Sequence, residues 1–297
     1  VQILTWAGLT PVFCDVDPET QMLTADRAEK LITSKTSAVL GVHLWGRGCD
    51  PNNLAELCRR RNLKLIFDSA HAIGCTFGGR NMGGFGDVEI FSFHATKVLG
   101  ATEGGALTTN DDDLAGQIRT VRNFHSSQTY GEVPVRINGK MTEAQAGFAL
   151  LGLVHLDEWI ERNRKLYQRH KERAGAAPGV RFVDHAQGER SNYQYCVVAI
   201  DPQLDVTRDE IRQILEAENI WARRYFYPGM HRTAPYGAPG GKSNVNLPVT
   251  DMLCTQLLQL PLGSGMTNDD VDRIWDIVEL CTKHPEEIRK RLDSRSQ

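Results

Sequence analysis

The residues with chemistry to offer gather in one stretch, 63–110, around Phe91-Ser92-Phe93-His94-Ala95-Thr96-Lys97. An apolar run, 63–67, ends on a carboxylate, Asp68, followed by Ser69, Ala70 and His71. A glycine-rich passage, 74–86, leads to a second apolar run, 88–91, which ends in Ser92, His94, Thr96 and Lys97. Gly104-Gly105 then opens into Ala106-Leu107-Thr108-Thr109. Short buried strands with polar residues at their carboxyl ends put those residues where open α/β sheets bind ligands. A lysine amine near a hydroxyl, an imidazole and the carboxylate of a neighbouring strand end is the donor set that pyridoxal phosphate needs. The amine condenses with the cofactor aldehyde, the carboxylate keeps the pyridinium nitrogen protonated, and hydroxyl and backbone donors hold the phosphate.

Four pieces of this stretch carry a family resemblance when taken together. They are Asp68-Ser69-Ala70-His71-Ala72, Gly83-x-x-Gly86-Asp87, the segment from Phe91 to Lys97, and Glu103-Gly104-Gly105. They resemble the DegT/StrS-type sugar aminotransferases, fold-type I pyridoxal phosphate enzymes that act on nucleotide-linked keto sugars, over a span from Pro11 to about Cys281. The resemblance implies that Lys97 carries the cofactor and later moves the proton between the substrate carbon and the cofactor C4′ carbon. Its amine must be neutral to attack, so burial and nearby positive charge are expected to depress its pKa. The resemblance further implies Asp68 as partner of the pyridinium nitrogen, His71 near the ring oxygen and Ser92 as a phosphate-binding hydroxyl. His94, two residues on from Ser92 and on the same face of an extended strand, is expected to support the site. Read singly, the same residues are a solvated lysine, a carboxylate capping a turn, a turn histidine and a core histidine.

Two further motifs point to partners. Asn138-x-Lys140-Met141 resembles the family's Asn-x-Arg-Met motif, whose Asn crosses a dimer interface to the partner's cofactor phosphate. Lys140 stands where Arg is commoner, a point charge without the bidentate fork, as a candidate contact to substrate phosphate. Arg223-Arg224-Tyr225-Phe226-Tyr227-Pro228-Gly229-x-His231 resembles the subgroup that aminates carbon 4 of dTDP-4-keto-6-deoxyglucose. It makes Arg224, Tyr227 and His231 candidate substrate-binding residues; arginines beside a sugar diphosphate make electrostatic sense. An edge strand with exposed charges is the plainer reading of the two arginines. Family members also carry a segment before the equivalent of Pro11. It holds a Gly-Thr or Gly-Ser turn at a helix start for the cofactor phosphate, and an aromatic that stacks on the ring. This sequence has neither there, and Trp6 lies too close to Pro11 to serve. The expectation is that the amino-terminal segment is missing from these residues and that cofactor binding is weaker without that anchor.

The elements that must position these groups follow from periodicity. Strands are expected at 11–17, 38–44, 63–67 and 88–91, with helices at 24–32, 52–61 and 114–121. Their alternation implies a largely parallel sheet covered on both faces. The glycines of 74–86 exclude a regular helix. The stretch 123–140, with Pro134, reads as an irregular loop of functional length. Thr142-x-x-Gln145 is a capping box opening a helix to about Ala174, apolar in its first half and charged in its second, which suggests a helix leaving the core for a second domain. Beyond Pro178-Gly179, strands are expected at 180–183, 193–200 and 220–227, and helices at 207–218, with a Thr207-x-x-Glu210 capping box, and at 268–281. They form a small antiparallel α+β domain, and the charged stretch from His284 is expected to be loosely held. The expected fold is therefore α/β, the fold-type I aminotransferase with a mostly parallel central sheet flanked by helices, plus a smaller α+β carboxyl-terminal domain. The expected domains are 1–155 and 156–297.

Composition narrows the setting. The 297 residues are 41% hydrophobic and 24% charged with a net charge of −3, a globular composition with no footing for nucleic acid. No apolar run nears the roughly 20 residues a membrane helix needs. No signal peptide is visible, and the sequence begins at Val1. The seven scattered cysteines include no CxxC pair, which argues against disulfides or a metal site and for a reducing, cytoplasmic setting. No GxGxxG in the right place supports a dehydrogenase. The resemblance implies a homodimer with shared active sites, L-glutamate as amino donor, and dTDP-4-amino-4,6-dideoxy-D-glucose as product, in antibiotic or surface-polysaccharide sugar biosynthesis. Amination at carbon 3 and a non-catalytic nucleotide-sugar binding or regulatory protein on the same fold are the alternatives.

Overall fold

The computed structural model describes residues 1–124, 137–237 and 245–295. The centre of the expected loop, including Pro134, lies outside the described residues. The chain divides into two compact units, 1–158 with 186–192, and 159–185 with 193–297.

The first unit runs α1 (Gln2–Trp6), α2 (Ala25–Glu29), β1 (Ala38–Val42), α3 (Pro51–Arg61), β2 (Lys64–Asp68), β3 (Thr76–Phe77), β4 (Arg80–Asn81), β5 (Val88–Ser92), β6 (Gly105–Thr108), α4 (Asp112–Val121) and the first half of α5 (Glu143–Ala174). The central sheet has the order β1-β2-β5-β6. β1, β2 and β5 are parallel, and β6 joins β5 antiparallel. Asp68 stands in register with Val42 on one side and Ile90 on the other, so the carboxyl ends of the parallel strands lie together.

α3 packs on β1 and β2, and Leu54, Leu57 and Cys58 are buried on that side with Val39, Leu65 and Phe67. Its start is fixed by Asp50, whose Oδ1 accepts the N–H groups of Asn52 and Asn53, both at 3.0 Å, with Pro51 in the first turn. Asn62 in the left-handed region ends it. The opposite sheet face is more open than the expected two-sided cover: Val42, Ile90 and Leu107 remain exposed.

The glycine-rich passage forms the β3–β4 hairpin. Its two-residue turn, Gly78-Gly79, needs positive φ at both positions, 58° and 73°. Residues 11–17, expected as a strand, form none. Asp17 closes a turn by accepting the N–H groups of Glu19 and Thr20 at 3.0 and 2.8 Å. An apolar run becomes a strand only where a ladder partner is available. The Thr142–Gln145 capping box is present, with reciprocal bonds of 3.0 and 3.2 Å.

The second unit continues α5 and adds β7 (Val180–Phe182), β8 (Cys196–Ile200), α6 (Arg208–Ala217), a 3₁₀ turn (Met230–Arg232), α7 (Pro248–Gln256), β9 (Leu257–Leu260), α8 (Asn268–Lys283) and α9 (Pro285–Arg295). The sheet is antiparallel, in the order β7-β8-β9, as the sequence suggested. Every residue of β8 is buried, and Val271, Ile274, Trp275 and Val278 of α8 join the same core. The Thr207–Glu210 capping box is formed.

Two expectations fail here. Residues 220–227 make one bridge, Arg223 with Gln259, and then turn, with the Tyr227 N–H bonded to the Arg224 carbonyl at 2.8 Å. Pro228 has no N–H with which to continue a ladder. The stretch after His284, expected to be loose, is helix α9, and its Ile288 packs against the core. A high charge density hid an apolar contact.

His170 supplies an acid-labile element of this core. The Trp275 indole N–H donates to its Nδ1 at 3.0 Å, and its Nε2 faces the Pro261 carbonyl at 3.0 Å, so the neutral ring already satisfies both neighbours. Burial pushes its pKa down to about 4. The unfolded chain therefore takes up the proton more readily. Its contribution is complete above about pH 6.5 and is lost as pH falls towards about 4, on the order of 3 kcal/mol at roughly 1.4 kcal/mol per unit. Denaturant titrations between pH 7 and pH 4.5 should give a shallower loss of stability in His170→Gln than in the parent; equal slopes would remove His170 as the cause.

Candidate active site

The Glu103-Gly104-Gly105 turn and the 92–97 segment form one doubled loop. The Phe93 N–H reaches the Gly104 carbonyl and the Ala95 N–H the Thr102 carbonyl, each at 2.8 Å, and Lys97 sits near the tip with its N–H on the His94 carbonyl at 2.9 Å. Two glycines make this closure possible. A Cβ on Gly105 would lie 2.4 Å from the Phe91 carbonyl oxygen, and one on Gly104, at φ 127°, would lie 2.2 Å from Met141 Sδ. His94 is exposed rather than buried in the core. Its Nδ1 accepts the Thr96 N–H at 3.2 Å and faces Thr96 Oγ1 at 2.8 Å, while its backbone N–H donates to Ser92 Oγ at 3.3 Å. It braces the loop.

Side-chain alternation sets which groups share a face. Asp68 and Ile90 are paired, and Ser92 lies two residues beyond Ile90, so Asp68 and Ser92 project from one side of the sheet. Lys97 is half-buried and feels Asp68 electrostatically. Burial pushes its ammonium below the ordinary lysine value, and the Asp68 charge opposes that shift. Of the two expected causes, burial supplies the depression, and the charge that acts on Lys97 is the opposing one of Asp68. His71 is pushed down to about 3, by burial and then by the Lys97 charge. Its Nδ1 accepts the Trp45 N–H at 3.4 Å, which leaves the ring proton to Nε2. Asp68 Oδ1 accepts the Ala70 N–H at 3.0 Å and so closes the turn that carries His71.

This donor set suits pyridoxal phosphate. It offers a half-buried amine below its ordinary pKa, a carboxylate within electrostatic reach, a neutral imidazole, and a hydroxyl at the next strand end.

Two buried residues here were not singled out from sequence. Glu89 on β5 points to the opposite side of the sheet from Asp68 and is fully buried. Its signal was local: an acid at an inward position of an otherwise apolar strand. Asn192 is also fully buried, and its Nδ2 donates to the carbonyls of His71 and Ile73 at 2.9 and 3.1 Å. Nothing local marks it, because its partners lie about 120 positions away in the chain.

Asn138 and Lys140 lie at the exposed end of the segment preceding α5. Lys140 Nζ donates to Asn138 Oδ1 at 2.6 Å and stands 4.4 Å from the centre of the Phe124 ring. In the second unit, a cleft of about 540 Å³ is lined by Arg212, Trp221, Arg223, Arg224, Tyr225 and Tyr227, among others. The Arg224 guanidinium lies 4.7 Å from the Tyr227 ring centre. His231 is not among the lining residues. It is buried, with Nε2 2.9 Å from Asp251 Oδ1.

A mostly parallel sheet with a lysine and a carboxylate at its carboxyl end, in a chain completed by a small antiparallel α+β unit, is the arrangement of a fold-type I pyridoxal phosphate enzyme. Comparison with known proteins makes the class definite: residues 1–279 match the model of the DegT/DnrJ/EryC1/StrS aminotransferase family, and the chain belongs to that family. It is a pyridoxal phosphate-dependent sugar aminotransferase.

The chain is 35% identical over 279 residues to GDP-perosamine synthase of Caulobacter vibrioides, covering 91% of this chain and 73% of that one. It is 32% identical over 267 residues to dTDP-4-amino-4,6-dideoxy-D-glucose transaminase of Shigella dysenteriae, covering 90% and 72%. The crystal structure of DesI in the presence of its TDP-sugar product superposes with a TM-score of 0.93 at 41% identity, covering 98% of this chain and 74% of that one. Among the described residues no helix is long and apolar enough to cross a membrane.

Proposed function

We propose that the chain transfers the amino group of L-glutamate to carbon 4 of dTDP-4-keto-6-deoxy-D-glucose, giving dTDP-4-amino-4,6-dideoxy-D-glucose. The observation that carries this reading is the 41% identity, at a TM-score of 0.93, to a structure solved with a TDP-sugar product. The Shigella relative's name supports the same sugar. A relative from Streptomyces venezuelae, 31% identical, is named a dTDP-3-amino-3,4,6-trideoxy-alpha-D-glucose transaminase, which keeps carbon 3 as the second reading.

Bound pyridoxal phosphate supplies the electron sink and carries the amino group between donor and acceptor. Asp68 holds the proton on the ring nitrogen. Lys97, its amine favoured in the neutral form by burial, would attach the cofactor and serve as the base that moves the substrate proton. His71 would meet the ring oxygen and Ser92 would hold the phosphate. Lys140, Arg224, Tyr227 and His231 take the substrate, with the His231 ring held by Asp251.

Asn138 would reach the cofactor of a second copy in a homodimer. Phe148, Leu150, Leu151 and Val154 on α5 are all more than half exposed, an apolar surface that a second copy would cover. Seven free thiols suit a cytoplasmic setting.

Absorbance spectroscopy tests the reading. The protein with pyridoxal phosphate should develop a long-wavelength band that L-glutamate bleaches and dTDP-4-keto-6-deoxyglucose restores. Restoration by a GDP-linked or a 3-keto sugar instead would overturn the substrate assignment, and a band indifferent to glutamate would overturn the donor. Arg224→Ala should raise KM for the nucleotide sugar about 10- to 100-fold, the worth of one charge-assisted hydrogen bond, with little change in kcat. An unchanged KM would remove Arg224 from the substrate site.

A further inference from the structure

We propose that Glu89 is a positioning residue of the cofactor site, fixing through Ser69 the turn that presents Asp68 and His71. The proposal rests on the cofactor roles given above to Asp68 and His71.

Glu89 and Ser69 are both fully buried, and the Ser69 hydroxyl donates to Glu89 Oε2 at 2.6 Å. The other carboxylate oxygen, Oε1, accepts the N–H groups of Gly83 and Phe85, each at 2.7 Å. One side chain therefore ties the end of β2 to the loop of the Gly83-x-x-Gly86 motif. The geometry of β2 gives the tie its consequence. Successive side chains leave a strand on opposite faces, so with Ser69 drawn inward onto Glu89, Asp68 must project outward to the Lys97 side. The turn that follows, closed by the Ala72 N–H on the Ser69 carbonyl at 2.9 Å, carries His71.

Neighbouring groups leave this task to the carboxylate. His43, stacked on Phe67 with ring centres 4.5 Å apart, is an ionisable neighbour of Glu89. The Cys49 N–H donates to its Nδ1 at 3.2 Å, and its Nε2 stands 3.8 Å from Glu89 Oε2, beyond a hydrogen bond. Glu89 is thus held by three donors from two segments. A carboxylate accepts at both oxygens, whereas an amide in the same place turns a donor towards one set of them.

Glu89→Gln and Ser69→Ala test the idea beside Asp68→Asn. The first readout is the dissociation constant for pyridoxal phosphate added to cofactor-free protein. The second is the pH midpoint at which an acylating reagent labels Lys97 in that same protein, followed by peptide mass spectrometry. Both variants should weaken cofactor binding about 10-fold, the cost of one disturbed buried hydrogen-bond partner, and should move the Lys97 midpoint to lower pH, as Asp68→Asn does, because the carboxylate that favours the ammonium is turned away. In the Asp68→Asn background, Glu89→Gln should add little to either readout, the coupling expected of residues that act as one unit.

Full additivity of the two substitutions would overturn the proposal, and so would cofactor affinity and a labelling midpoint unchanged by Glu89→Gln while Asp68→Asn alters both. Insensitivity of both readouts to Asp68→Asn would instead overturn the cofactor role of Asp68 and the proposal with it. Ser69→Ala leaves the carboxylate and its two loop bonds in place, so it reports on the Asp68 turn even if Glu89→Gln folds poorly.

Discussion

Lys97→Ala should lower amino transfer by at least about 10⁴-fold, the upper range for a positioned proton-transfer group, and the loss of the covalent attachment point adds to it. The fold should be untouched. The loop around Lys97 is closed by backbone bonds between Phe93 and Gly104 and between Ala95 and Thr102, none of which uses the lysine side chain. Burial disfavours the ammonium in the folded state, so alanine also removes a desolvated charge. Single-turnover assays with glutamate, beside denaturant unfolding, separate the two effects. Turnover within 10-fold of the parent would remove Lys97 from the chemistry. Partial recovery on adding a small primary amine would locate the loss at the proton-transfer step rather than in substrate binding.

Asp68→Asn is expected to cost about 10²- to 10³-fold in kcat, the usual penalty for losing one preorganised electrostatic partner. It has a second, cofactor-independent signature. The Asp68 charge raises the pKa of Lys97 against the lowering effect of burial. Neutralising it leaves burial unopposed, and the Lys97 amine should titrate at lower pH in the cofactor-free protein. An upward shift would contradict the electrostatics described above. Asp68→Glu should retain part of the rate, because the charge survives on a longer arm. Equal losses in Asn and Glu variants would assign Asp68 to turn closure through the Ala70 N–H instead.

Much of the site could be read along the chain because its parts are local. Asp68 follows directly on an apolar run, and Lys97 lies five residues beyond the end of β5; strand ends and side-chain alternation are properties of a few consecutive residues. The capping boxes at Thr142 and Thr207 were equally local and are formed. The strands expected at 11–17 and 220–227 were not, since a strand exists only where another strand meets it. Of residues 220–227, Arg223 alone bridges to a strand, at Gln259, and the chain then turns. His231 shows the same limit in the site. Its motif marks it for substrate, but nothing local announces its partner, Asp251, twenty positions away.

The sequence by itself determined the family, the sheet-end placement of Asp68, Ser92 and Lys97, and the antiparallel character of the second unit, because each is encoded in motif spacing or in the period of a short segment. Tertiary structure alone decided the rest. It set the burial that lowers the pKa of His71, and the inward anchoring of Ser69 by Glu89. It also brought Asn192, from about 120 residues away, onto the carbonyls of His71 and Ile73. Desolvation and long-range hydrogen bonds depend on which surfaces meet, and that pairing is settled only when the sheet and its covering segments close on one another.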